Sequence, residues 1–214
     1  MITMNEEAAV EAVIRDIQKA VPEAEILLVD SSRDRTAEIA SGLGAKVIKQ
    51  YPPKGYGLAM DLALRSASGD VVVTLDCDNT YPAHRIPELA NYILKEGYEL
   101  ADGSRLQSKP KAMPWINYWA NFFFAGLASL LFLKRITDLH SGMRAYKKSL
   151  IERLNYDPKG AALPVELLLR PIKSGSKVKF TFIDYHERTG QSTMRPLESA
   201  YWTLKRILSV RFSK

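Results

Sequence analysis

DVVVTLDCDNTYP, residues 70–82, is the stretch on which the fold turns. Its first seven residues form a short valine-rich run bounded by Asp70 and Asp76, with Ser68-Gly69 as a stop before it. A continuous apolar run of that length reads as a buried strand of a parallel sheet. Upstream, a helix is expected over about 58–67, behind the turn-rich loop YPPKGYG at 51–57. Before that loop come the short strand AKVIKQ, a helix from about Arg35 to Leu43, and a second buried strand, EILLVD at 25–30. Val10, Val13, Ile14 and Ile17 recur at helical spacing and predict a helix ending near Ala20. Met1–Met4 reads as the tail of a strand, and Thr3 with Glu6 as a capping box with Asn5 in the first turn. Downstream, a helix over 86–97, the strand YELADGS, a helix near Leu163–Lys173 and the strand KVKFTFIDY continue the alternation. Such alternation predicts an α/β fold with a mostly parallel central sheet, whose ligands bind beyond the carboxyl ends of the strands. Asp30, Asp76 and Asp78 all fall at such ends.

The chain has 214 residues, enough for one α/β domain with a substantial core, and its 46% hydrophobic, 25% charged composition is that of a folded protein. The net charge of +6 suits an anionic partner such as a nucleotide sugar, a phosphate or an acidic membrane. No aromatic-basic RNA signature or zinc module is present, so nucleic acid is not an expected partner. Cys77 is the only cysteine, which fits a reducing compartment, and the N-terminus lacks the basic start and apolar run of a signal peptide. Residues 113–133 are unusually apolar but are interrupted by Asn117 and Asn121, so a shallowly inserted or core-buried helix is expected rather than a membrane span. Residues 137–150 read only as a polar and then basic stretch. The tail, 196–214, carries Leu197, Tyr201, Leu204, Ile207 and Leu208 at helical spacing with several basic residues. It is read as an amphipathic basic helix appended to a 1–195 domain, able to lie on an anionic membrane or to dock on that domain.

An extended Asp-x-Asp aims both carboxylates to one side, because residues i and i+2 share a face. Asp76 and Asp78 therefore fit a hard divalent cation, Mg²⁺ or Mn²⁺, which takes oxygen ligands from a few carboxylates and substrate phosphates. A solvated acidic turn is the alternative. Cys77 between them reads as a small buried side chain. Asp30, Ser31, Ser32 and Asp34 could accept hydrogen bonds from a base or ribose, or cap the next helix. Lys54 with Gly55 and Gly57 resembles an anion-facing loop. Asp138, Ser141, Gly142 and Arg144 form a second polar group, and Arg105, Arg144 and Arg188 supply cations suited to phosphate. His84, His140 and His186 lack metal-ligand spacing and read as structural or surface residues, and Ser192 lacks a nucleophile elbow.

Taken in order, these segments resemble the inverting glycosyltransferases of family 2, which carry a GT-A nucleotide-sugar-binding fold. Within that family the chain is most similar to dolichyl-phosphate mannose synthases and bacterial polyprenyl-phosphate glycosyltransferases. The resemblance runs from Asn5-Glu6-Glu7 through VDSSRDRT, K-G-x-G-x-A at Lys54–Ala59, LDCDNTYP, Gly103-Ser104-Arg105 and D-x-x-S-G-x-R at Asp138–Arg144 to R-x-G-x-S at Arg188–Ser192. Arg35 stands where the family usually has glycine, Thr80 where many of these enzymes have glutamine, and Thr193 where lysine commonly follows Ser192. The resemblance implies metal-dependent, inverting transfer of a hexose from GDP-mannose or UDP-glucose to a polyprenyl or dolichyl phosphate. It implies Asp76 and Asp78 at the metal, and Asn5, Glu7, Asp30, Ser32, Lys54 and Asp76 at the nucleotide sugar. It further implies Asp78, Asp138 and Arg105 at the chemistry, and Arg144, Arg188 and Ser192 at the acceptor. Such an enzyme is expected to be cytoplasmic and peripheral at the cytoplasmic face of a membrane. Transfer to a soluble hydroxyl, with Asp138 or Glu166 as base, and non-catalytic nucleotide-sugar binding are the two rival functions.

Overall fold

A computed structural model describes residues 1–190 and 196–213; Ser192, Thr193 and Arg195 lie outside them. The N-terminal half is an alternating unit of β1 (Ile2–Thr3), α1 (Glu7–Ala20), β2 (Leu27–Asp30), α2 (Thr36–Gly42), β3 (Lys46–Lys49) and α3 (Tyr56–Ser66). Its strands form a parallel sheet in the order β1-β2-β3. The second sheet joins β4 (Val71–Thr74), β5 (Leu100–Ser104), β6 (Arg144–Lys147) and β7 (Val178–Phe182) in the order β4-β6-β5-β7. The α/β class holds, but the strands divide between two sheets rather than one. Only the β5–β7 pairing of the second sheet is parallel; β6 runs antiparallel to both β4 and β5. Strand β6 and the short helix α6 (Lys148–Arg153) lie in the stretch read only as polar and basic, because β6 spells RAYK and shows no apolar run.

The expected capping box does not form. Thr3 lies in β1 and donates to Asp30 (2.7 Å), while Asn5 takes a left-handed φ of 60° and helix α1 starts one residue after Glu6. Asparagine tolerates that conformation better than most residues. α1 buries Ala9, Val10, Val13, Ile14 and Ile17 in a core shared with β2 and with α4 (Ile86–Leu94).

A second core gathers Leu100, Tyr146, Leu150 and Leu163 with residues of α7 (Leu163–Lys173) and α8 (Pro196–Phe212). The tail helix is thus docked: Thr203, Arg206, Ile207 and Val210 are buried. Ile207 and Val210 each contribute roughly 1.5–3 kcal/mol by leaving water. Arg206 donates to the carbonyls of Asp157, Lys159 and Ala161 and pairs with Glu166, pinning the 157–161 loop under α8. That loop presses on α3. A Cβ at Gly57 would lie 2.0 Å from the Pro158 carbonyl, so this glycine admits the 158–160 backbone rather than a phosphate.

Helix α5 (Trp115–Phe132) is not buried: only Ala125 and Ala128 are. Ile116 is 77% exposed, Trp119 58% and Phe123 64%, an amount of apolar surface a monomeric soluble domain rarely leaves bare. Leu197, Tyr201 and Leu204 on α8 are exposed as well. No helix among the described residues is long and apolar enough to cross a membrane.

Candidate active site

The carboxyl ends of β2 and β4 bring two polar groups to one side of the molecule. The first is built around Asp30, fully buried at the end of β2, which accepts from Thr3, Ser32 (2.5 Å) and Lys49 Nζ (2.6 Å). Burial pushes its carboxyl up, but these partners outweigh burial and hold it below its ordinary range. Asn5, Glu7 and Ser32 stitch the neighbouring loops together. The Asn5 amide donates to Ser32 Oγ (2.8 Å), Asn5 Oδ1 accepts from Arg33 N (3.0 Å), and Glu7 accepts from Arg35 N (3.1 Å). Asp34 accepts from Thr36 N (3.0 Å), the first amide of α2, but the N-cap position is held by Arg35, whose side chain makes no capping bond. Lys54 is exposed beside the start of α3.

The second group lies just beyond β4. Asp78 is buried, and its Oδ1 accepts from the Thr80 amide (3.1 Å) and hydroxyl (2.5 Å). Its Oδ2 accepts from Arg188 Nη1 (2.7 Å), whose other Nη reaches Glu6 Oε1 (2.7 Å). The 186–189 segment is laid against the Asp-x-Asp turn by His186 N to Thr80 O and Thr189 N to Asp78 O, both 2.9 Å. Asp76 rests on the α-carbon of Gly142: a Cβ there would lie 2.4 Å from Asp76 Oδ2. The Gly142 amide donates to the Tyr81 hydroxyl (2.7 Å). Burial and the neighbouring Asp78 push Asp76 up to about 6. Burial pushes Glu6 up to about 7 despite the pull of Arg188. Cys77 between the carboxylates faces the core, where burial lifts its thiol to about 12.

Arg105 is gripped by Asp138 through Nε (2.7 Å), Nη2 (3.0 Å) and its own amide (3.2 Å), and its guanidinium stands 5.3 Å above the Tyr185 ring. Asp138 is fully buried; burial raises its carboxyl, but Arg105 and the His140 amide overcome this and hold it low. A carboxylate so held is a poor proton acceptor. Glu166, the other candidate base, is taken up by Arg206 and Arg170.

Arg144 is not at the cleft. It is fully buried on β6, paired with Asp102 (2.5 Å) and donating to the Pro164 and Leu139 carbonyls. All its bonding directions face the interior, so it braces the second sheet and is not available to an acceptor. Glu6, which stands between the motif residues Asn5 and Glu7, joins the polar group around Asp78 through Arg188. The signal was present: Glu6, which stands just before α1, precedes Val10 by four and Val13 by seven residues, in line with the inward stripe of that helix. Tyr81 and Tyr185, packed edge to face at 5.5 Å, were missed, because nothing local marks them.

Asp76 and Asp78 offer oxygen donors of the kind a hard divalent cation takes, although the described residues hold no cluster of three or more acidic, histidine or cysteine side chains that could bind one by itself. A family model described as glycosyl transferase family 2 matches residues 1–154. The chain belongs to glycosyl transferase family 2. It is 37% identical over 211 residues to a dolichyl-phosphate hexose transferase of Haloferax volcanii, covering 98% of this chain and 91% of that one. It is 33% identical over 192 residues to a dolichol-phosphate mannosyltransferase of Pyrococcus furiosus, covering 84% of this chain and 54% of the relative. A solved glucosyl-3-phosphoglycerate synthase of Mycobacterium tuberculosis, in complex with Mn²⁺, UDP and phosphoglyceric acid, superposes with a TM-score of 0.78 at 23% identity, covering 100% of this chain and 77% of that one. That likeness establishes the GT-A fold. The protein is a glycosyltransferase. Helices α7 and α8 and the Arg188 loop lie beyond the matched 1–154 region, so part of the site is built outside it.

Proposed function

We propose that this glycosyltransferase moves a hexose from a nucleotide sugar to a polyprenyl phosphate at a membrane surface. The observation that carries the proposal is the state of Asp138. A hydroxyl acceptor needs a base within reach of its proton, and Asp138 and Glu166 are both spent on arginines. A phosphate acceptor arrives already ionised and needs positioning and charge compensation instead. The exposed aromatic face of α5, the apolar outer face of α8 and the names of the two relatives support a lipid-borne acceptor held by a peripheral enzyme.

In this reading Asp76 and Asp78 hold a divalent metal, Mg²⁺ or Mn²⁺, which when bound neutralises the departing nucleoside diphosphate. Asp30, with the loops tied by Asn5, Glu7 and Ser32, faces the nucleotide, and Lys54 supplies a mobile charge. Asp138 and Tyr185 keep Arg105 in one orientation, so its charge is in place before a phosphate arrives. Arg188, bridging Glu6 and Asp78 on the open side of the site, is the cation able to turn to the acceptor phosphate. Ser192 is assigned to the acceptor from the motif alone.

The test is a product assay with a polyprenyl phosphate in anionic vesicles, radiolabelled nucleotide sugars and Mg²⁺ or Mn²⁺. Lipid-linked sugar is expected. Product only on phosphoglycerate or another soluble acceptor would overturn the lipid assignment, and donor binding without any transfer would overturn the reaction. Replacing Trp119 and Phe123 together by serine is expected to weaken vesicle binding about tenfold or more, since each buried aromatic side chain is worth about 1.5–3 kcal/mol. Nucleotide binding, followed by calorimetry, should not change.

Gly142→Ala offers a sharper probe of Asp76. The added methyl must displace the carboxylate it would touch, and Mn²⁺ affinity is expected to fall about 10–100-fold, as for other disturbed metal surroundings. Electron paramagnetic resonance of free Mn²⁺ measures this; wild-type affinity would remove Asp76 from the metal site.

A further inference from the structure

Helix α5, the 133–143 loop and α8 meet at His140. Its Nε2 lies 2.7 Å from Thr203 Oγ1. Thr203 gives its own proton to the Ser199 carbonyl (2.8 Å), so the hydroxyl presents a lone pair and the imidazole is the donor. Nδ1 is then a bare acceptor, and it is buried without a partner. Burial lowers the ring to about 4, against the pull of Asp138 and with Arg105 and Arg144 reinforcing it, so the ring is neutral at physiological pH. Phe124 from α5 packs against it in a T-shaped arrangement, with ring centroids 6.1 Å apart. The main-chain amide of the same residue donates to Asp138 Oδ1 (2.9 Å), and Asp138 grips Arg105.

As packing material this imidazole is poor. A phenyl ring would fill the same space without leaving a buried nitrogen unpaired. What only the imidazole does is join Thr203 of α8 to the turn that holds Asp138. We infer that His140 is a positioning residue that locks the Asp138–Arg105 pair to α8, so that the seating of α8 sets the placement of Arg105. Thr203 lies on the inner face of α8, whereas Leu197, Tyr201 and Leu204 are exposed on the outer one. Whatever presses on the outer face therefore bears on Arg105 through one hydrogen bond. The consequence for catalysis rests on the function proposed above; the mechanical link does not.

Hydrogen exchange of the Arg105 and His140 amides, both bonded to Asp138, reads the link directly. In Thr203→Val and His140→Phe these two amides are expected to exchange about tenfold faster, the loss of one modest hydrogen bond. His140→Gln keeps an N–H donor for Thr203 and should restore protection. The melting temperature of His140→Phe should be no lower than wild type. In the transfer assay, Thr203→Val should lower kcat and leave the donor KM unchanged. Unchanged exchange in both Thr203→Val and His140→Phe would overturn the inference. So would faster exchange throughout the domain together with a lower melting temperature, the mark of a merely structural residue. If the wild type transfers no sugar to any acceptor, the proposed function fails while the exchange result still decides the link.

Discussion

Asp78→Asn should abolish transfer, lowering kcat about a thousandfold or more, equivalent to about 4 kcal/mol of barrier. The choice of asparagine separates charge from structure. Its amide oxygen still accepts from Thr80, the two bonds that fix the turn, so the fold and the melting temperature should stay near wild type. What is lost is the negative oxygen facing Arg188. An amide nitrogen placed there repels the guanidinium and offers nothing to a divalent cation. Asp78→Ala should lose as much activity but also destabilise, by about 1–3 kcal/mol, because it strands the Thr80 amide and hydroxyl. Mn²⁺ binding, melting and product formation measured on both variants distinguish the outcomes. Retention of more than a tenth of wild-type activity by Asp78→Asn would mean that no metal is held by this carboxylate.

The difference between what was legible in the chain and what was not follows from how local each feature is. Strand β2 was visible because a buried parallel strand is a continuous apolar run, and α1 because helical spacing repeats within a dozen residues. The same kind of run marked β4, but not its pairing, for β4 is a half-buried edge strand that runs antiparallel to β6 rather than in a parallel sheet. The Asp-x-Asp was visible because both carboxylates lie within four residues of the end of β4. Strand β6 was invisible: its first residue is a charged Arg144, and only a partner 42 residues earlier makes that charge tolerable inside a sheet. Gly142 could be matched to a motif, but not understood as the seat of Asp76, 66 residues away by subtraction of the two positions. The twelve-residue stripe from Leu197 to Leu208 marked a helix in the tail, yet neither the stripe nor its charge pattern revealed that Arg206 points inward to four acceptors. Arginine read from sequence alone is taken for surface or for a ligand-binding group; in this fold two of the arginines are internal braces.

Those braces carry the largest expected effect on stability. Arg144→Met is expected to cost about 3–5 kcal/mol at neutral pH, the loss typical of breaking a buried ion pair from one side. Residues 102 and 144 stand opposite each other on antiparallel strands, and neither side chain touches solvent. Methionine fills part of the volume but leaves the Asp102 carboxylate buried without its cation, and strips the Leu139 and Pro164 carbonyls of a donor. Burial already pushes Asp102 above its ordinary range against the pull of Arg144, and removing Arg144 pushes it further. The folded variant then binds a proton more tightly than the unfolded chain. Its stability is therefore greatest below the ordinary carboxylate range and declines as pH rises through the raised folded value. Part of the loss should be recovered on acidification, a trend opposite to ordinary acid denaturation. Adding Asp102→Leu removes the stranded charge, and the double variant should regain most of the loss, since an apolar pair of similar volume often replaces a buried ion pair at little cost. Urea unfolding of the two single variants and the double at several pH values gives the coupling energy. A double variant no better than Arg144→Met would show that the carbonyl bonds, not the ion pair, hold β6 in place. An Arg144→Met that unfolds like wild type while raising the KM for the lipid phosphate would return Arg144 to the acceptor site.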